Sequence, residues 1–67
     1  MTIINFREVG GAYAAKHALV RYYRATGQVY DPKKLAVDGK KLYVPVVPPQ
    51  VLDTIVRKIE PSARIVV

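Results

Sequence analysis

Apolar and polar positions alternate in some stretches of the chain and recur every three or four residues in others, and the change of period marks its elements. Residues 2–9, TIINFREV, alternate as a strand does, with Ile4 and Phe6 on one side and Asn5 and Arg7 on the other. Ile3 and Val9 fall on the polar side, and Gly10–Gly11 is expected to break the strand. Residues 12–25, AYAAKHALVRYYRA, hold strong helix formers and no proline. At about 100° per residue, Ala12, Ala15, Leu19, Tyr22 and Tyr23 share one side of that helix. Tyr13, His17, Arg21 and Arg24 share the opposite side, with Lys16 at its margin. Gly27 can take the left-handed conformation that stops many helices.

Asp31–Pro32 opens a turn, and Leu35–Ala36–Val37 reads as a short strand. Asp38–Gly39 supplies the positive φ values of a tight hairpin. The return strand is expected over residues 41–47, with Leu42, Val44 and Val46 on one face and Lys41, Tyr43 and Pro45 on the other. Pro45 cannot donate a ladder hydrogen bond, so the strand is either at an edge or ending there. Pro48–Pro49 leads into a second helix, as proline is tolerated in a first helical turn. Val51, Leu52, Ile55, Val56 and Ile59 form its apolar stripe, while Asp53, Thr54, Arg57 and Glu60 lie opposite, with Asp53 and Arg57 at i,i+4 spacing. Pro61–Ser62 ends the helix, and residues 63–67, ARIVV, read as a last strand.

The order βαββαβ predicts a single small α+β domain over residues 1–67, a ferredoxin-like two-layer arrangement with both helices on one face of an antiparallel sheet. Pro45 on a strand that should be central leaves a second possibility, a three-stranded sheet or one completed by another copy.

Sixty-seven residues bury only a small core, and the absence of cysteine removes disulfides as a support. His17 is the only histidine, which argues against a tetrahedral zinc site, and no cofactor is expected. No apolar run reaches the roughly 18–20 residues of a membrane span. MTIINFREVGG has none of the features of a secretory leader, so a cytoplasmic location is expected. The lack of cysteine and the five prolines are compatible with a hot-growing source.

Charge changes the picture most. Eleven Lys and Arg against five Asp and Glu leave a net charge of +6, enough to attract phosphates in so small a chain. The basic residues form two groups: Lys16, His17, Arg21 and Arg24 on the first helix, and Lys33, Lys34, Lys40 and Lys41 about the hairpin, with Tyr43 beside them. Arginine holds phosphate through two parallel bonds, lysine adds a mobile charge, and tyrosine stacks on unpaired bases. The alternative is a solvated face kept for solubility, with Tyr22 and Tyr23 in the core and Tyr43 covering the sheet.

Catalysis finds little footing. There is no thiol or nucleophile elbow, VGG lacks the spacing and lysine of a phosphate loop, and the carboxylates are scattered. Imidazole is a usual acid–base group, but no partner for His17 is visible. The RNA-recognition strand pattern K/R-G-F/Y-G/A-F-V-x-F/Y matches KKLYVPVV only at Lys41, Tyr43 and Val44.

Over residues 13–47 a basic helix, an Asp-containing turn, a lysine-bearing strand, a D-G turn and an aromatic strand ending Pro-Val follow one another. This stretch, with GQVYDPKKLAVDGKKLYVPV at its heart, resembles the small N-terminal domain of archaeal tRNA guanine-N1-methyltransferases and the related wyosine-pathway transferases. KLYVPV is the closest part, and the VYDPKK turn departs from the family's L-L-D segment. The resemblance implies an accessory that touches the outer corner of tRNA while a separate, larger domain holds the methyl donor. It places the tRNA contacts at Arg21, Arg24, Lys33, Lys34, Lys40 and Lys41, with Tyr43 in the aromatic strand.

The expected function is therefore a non-catalytic RNA-binding module for tRNA or ribosomal RNA, acting through phosphate and shape contacts. The competing expectations are an assembly module that meets another copy or a larger protein through a strand edge, and a small DNA-binding protein. Ile3, Val9, Val47 and Val66, left over when one sheet face is filled, motivate the assembly reading.

Overall fold

The structure is a computed structural model that describes residues 2–66. Its elements run β1 (Thr2–Asn5), α1 (Val9–Thr26), β2 (Ala36–Asp38), β3 (Lys41–Val44), α2 (Pro49–Ile59) and β4 (Arg64–Val66). The strands make one antiparallel sheet in the order β2-β3-β1-β4, the split βαβ arrangement. Four strands are present, and Pro45 causes no conflict because β3 ends at Val44, just before it.

Register explains which side chains are buried. Ile4 faces Leu42 on one side and Ile65 on the other, and Leu42 also faces Val37, so these residues share one side of the sheet. Ile4, Leu42 and Val44 are fully buried there. Ala12, Ala15, Leu19 and Tyr23 of α1 join the same cluster with Leu52 and Val56 of α2. Two alanines on the buried side of α1 let its backbone come close to β2 and β3, on which it packs, and α1 also packs against α2. The ring of Tyr23 stacks on Tyr30 at 4.1 Å, and Tyr22 meets it edge-on at 5.7 Å. Tyr23 is thus core, as the helix phase requires, and Tyr22 is half-buried beside it.

Local chemistry sets the joints. Gly27 ends α1 at φ 70°, and Gly39 opens the two-residue β2–β3 loop at φ 60°. Only the glycine has positive φ, which fits a type II′ hairpin, where the first central residue takes that conformation. In α2, Pro49 opens the helix and the Pro48 carbonyl accepts from the N–H groups of Val51 and Leu52, both at 3.1 Å.

Several boundaries differ from the sequence reading. β1 is shorter, and Gly10–Gly11 lies inside the first turn of α1 instead of separating strand from helix; Val9 is helical. β2 begins one residue later, with Leu35 buried ahead of it. Val46 is 82% exposed and shares no face with Leu42 and Val44, because the strand stops before Pro45 removes a donor. Val67 lies outside the described residues.

Candidate nucleic-acid interface

None of the described charged or polar residues is buried, so every described cation is at the surface or its margin. On α1, His17, Arg21 and Arg24 are exposed and Lys16 is half-buried. The turn before β2 is closed by Asp31, whose Oδ1 accepts from the Lys33 N–H at 2.9 Å and whose carbonyl accepts from Lys34 N–H at 3.0 Å. With the backbone of the turn held from within, the side chains of Lys33 and Lys34 extend outward. Lys40 sits in the hairpin loop, where its carbonyl accepts from the Phe6 N–H at 2.8 Å, and Lys41 begins β3.

The two lysine pairs do not form one cluster. They lie at opposite ends of β2, whose three residues span about 10 Å. Arg24 is exposed in the last turn of α1. Arg21 turns elsewhere: it lines a groove of about 350 Å³ between the helices with Ala14, Ala18, Ile55, Ile59 and Lys58. Arg57 is occupied as a strut, paired with Asp53 at 3.3 Å and donating to the carbonyls of Pro61 and Ala63 at 2.6 and 3.2 Å.

The sheet's second face collects a set that sequence reasoning grouped only in part. Tyr43 lies between Ala36 and Ile3, and Ile3 is followed by Val66, giving a row Ala36, Tyr43, Ile3, Val66 across the strands. The next row on the same face is Asp38, Lys41, Asn5, Arg64. Tyr43, Ile3, Ala36 and Asn5 are half-buried, and Lys41 and Arg64 are exposed. Neighbouring strands are about 4.8 Å apart and residues i and i+2 about 7 Å apart, so Lys41 and Arg64 stand roughly 10 Å from each other. Both are within one row of the Tyr43 ring. Arg64 was missing from the candidate residues because the spacing of ARIVV says it is in a strand but not which strand it borders.

A cleft of about 550 Å³ opens at the start of α1, lined by Arg7, Glu8, Gly10, Gly11, Ile59 and Glu60. The helix has no side-chain cap and no acid in its first turn. Glu60, placed by the end of α2, lies beside that helix start: its Oε1 accepts from the N–H of Arg7, which precedes α1. Glu60 is therefore not part of a solvated α2 face, as its phase had suggested, but a half-buried anion against the positive end of another helix. Gly11 makes room, since a Cβ there would lie 2.6 Å from Glu60 Oε2 and 3.1 Å from Phe6 Cδ1. The cleft is thus lined by two carboxylates, Glu8 and Glu60, which disfavour a phosphate there.

Among the described residues, no three His, Asp or Glu side chains gather in a way that would hold a metal ion. No helix of the described residues is long and apolar enough to cross a membrane. The clearest shifted ionisation is that of Tyr23, raised by burial and then by Tyr22 and Tyr30 nearby. Compared with models of protein families, with curated proteins and with solved structures, the chain matches none.

Proposed function

We propose that the chain is a small RNA-binding module that holds tRNA or ribosomal RNA through backbone phosphates and shape, without catalysis of its own. One observation carries this reading: His17, Arg21, Arg24, Lys33, Lys34, Lys40 and Lys41 are exposed, Lys16 is half-buried beside them, and the one salt bridge among the described residues, Arg57 with Asp53, uses none of them. Cations left without carboxylate partners keep their attraction for a polyanion. Their spread over a helix, a turn and a hairpin suits several phosphates of a folded RNA better than one small anion. An accessory part in tRNA modification, in the cytoplasm of a hot-growing archaeon, goes with this reading.

Band shifts with tRNA across a salt series test it. Affinity should fall steeply as salt rises, with log K losing close to one unit of slope per neutralised phosphate. Joint replacement of Arg21, Arg24, Lys40 and Lys41 by Ala should weaken binding and flatten the slope while the circular dichroism spectrum stays unchanged. No binding at low salt, or a flat salt response, overturns the reading. Duplex DNA as competitor separates RNA from DNA preference.

A second reading, assembly with another protein chain, draws on Val29 and Val46, which are 93% and 82% exposed. The Gln28 side-chain amide donates to the Val46 carbonyl at 2.9 Å, so the two valines lie in neighbouring loops. Pairing through a strand edge has weaker support, because the edge strands β2 and β4 are only three residues long. Light scattering at low and high concentration distinguishes a stable oligomer indifferent to RNA from a monomer that binds it.

A further inference from the structure

We propose that the sheet face carrying Tyr43 binds an unpaired segment of RNA, with a base stacked on the Tyr43 ring and the flanking phosphates held by Lys41 and Arg64. The inference rests on the RNA reading above and names the part of the RNA that this face takes.

Three features of the face converge. First, the only aromatic ring in its two rows stands on the central strand β3, between the small side chain of Ala36 and the aliphatic one of Ile3. The ring is half-buried, so it is anchored yet reachable, and the neighbouring methyl leaves space beside it. Second, Lys41 and Arg64 flank Asn5 in the next row, and neither is in the salt bridge of the described residues. A strand of nucleic acid lying across the sheet meets a stacking surface in one row and cations in the next. Third, the Asn5 amide between those cations offers both a donor and an acceptor, which suits the edge of a base.

The charges fix a direction. Asp38 stands at the outer end of the cationic row, beyond Lys41 on the edge strand β2. Its carboxylate repels a phosphate there, so the backbone runs from Lys41 toward Arg64 and not off the β2 edge. An unpaired segment is required because bases within a duplex stack on one another and offer only their edges. Stacking on an aromatic ring serves any base, and it survives salt that dissolves phosphate contacts.

Fluorescence anisotropy with a labelled single-stranded RNA octamer, the same octamer annealed to its complement, and tRNA tests the proposal. The single strand should bind at least about tenfold more tightly than the duplex. Tyr43→Leu should cost roughly tenfold in single-strand affinity and Tyr43→Phe little, because a phenyl ring still stacks. Replacing Lys41 and Arg64 by Ala should lower the salt slope by about the two phosphates released.

Backbone amide NMR on the unaltered chain locates the octamer without any variant: shifts are expected at Ile3, Ala36, Lys41, Tyr43 and Arg64. Shifts confined to Arg21, Arg24 and their helix overturn the proposal, as does equal affinity for duplex and single strand. Sheet-face shifts that appear with protein concentration alone would mean that a second copy covers the face, and this too overturns it. If tRNA binds with a steep salt slope while the octamer does not, this inference fails and the broader reading stands. If no RNA binds, both fail.

Discussion

Leu42 and Tyr43 are neighbours in the chain and opposites in the structure. Leu42 is fully buried against Ile4 and the helices, whereas Tyr43 lies half-exposed on the other side of the same strand. The same contrast separates Ile4 from Ile3 and Ile65 from Arg64. The inner side is aliphatic and aromatic with no charged residue, and the outer side mixes one ring, aliphatic chains, an amide and charges of both signs. Burial does the work of stability on one side, which leaves the other free to vary in chemistry at little cost to the fold. A domain of this size has only a few kcal/mol to lose, so the two sides should respond very differently to substitution.

The largest effect is expected at Leu42. Leu42→Ala should remove about 3 kcal/mol, most of the stability of so small a domain, and urea unfolding should show a midpoint near zero or no cooperative transition. Ile4→Ala should behave alike. Ile3→Ala, one residue away on the outer side, should cost about 1 kcal/mol in the same measurement. Equal losses at Ile3 and Ile4 would erase the distinction between the faces.

Adjacent glycines sharpen the comparison within the helix that covers the inner side. At Gly10 a Cβ would meet nothing within 4 Å, so Gly10→Ala should raise stability by up to about 1 kcal/mol through helix propensity. At Gly11 the added methyl displaces Glu60 and presses on the buried Phe6 ring, so the same propensity gain is cancelled. Gly11→Ala should be less stable than Gly10→Ala by roughly 1 kcal/mol in thermal melts.

The smallest effect concerns a side-chain oxygen stranded on the inner side. The Tyr23 hydroxyl is buried with no hydrogen-bond partner among the described residues. Tyr23→Phe should therefore leave stability at neutral pH unchanged or raise it by up to about 1 kcal/mol. Burial, with Tyr22 and Tyr30 adding to it, raises the folded-state pKa of Tyr23 above the ordinary tyrosine value. Above about pH 10 the unfolded chain then holds fewer protons than the folded one, so stability is full below that pH and is lost as pH rises through the folded pKa. Chemical denaturation from pH 8 to 11 should show this decline, and Tyr23→Phe should reduce it.

Much of this contrast could be read from residue order. The phase of AYAAKHALVRYYRA placed Ala12, Ala15, Leu19 and Tyr23 inside, because a helix face needs only local spacing. The stop at Gly27 followed from the conformations glycine allows, and so did the hairpin, although its loop is Gly39–Lys40 and not Asp38–Gly39, since Asp38 pairs with Lys41 as the last residue of β2. What resisted reading depended on residues far apart in sequence. Gly10–Gly11 looks like a break in any local window, yet it lies in the first turn of α1, with Glu60 from the end of α2 beside it. Val46 is the local exception: Pro45 beside it ends the ladder before Val46 can face inward, the second of the two outcomes its lack of a donor allows. Arg64 becomes a neighbour of Asn5, and through it of Lys41, only once the strand order is known. The hairpin lysines, close in sequence, are parted by the strand between them.

The contact between Glu60 and the Arg7 amide spans 53 positions. During synthesis the opening turn of α1 is made before α2, so the Glu60 carboxylate beside it emerges only after α1 is complete. That turn should stay frayed until α2 has docked, and chains cut short before Glu60 should show rapid amide exchange around residues 7–11 even where the rest of α1 is protected.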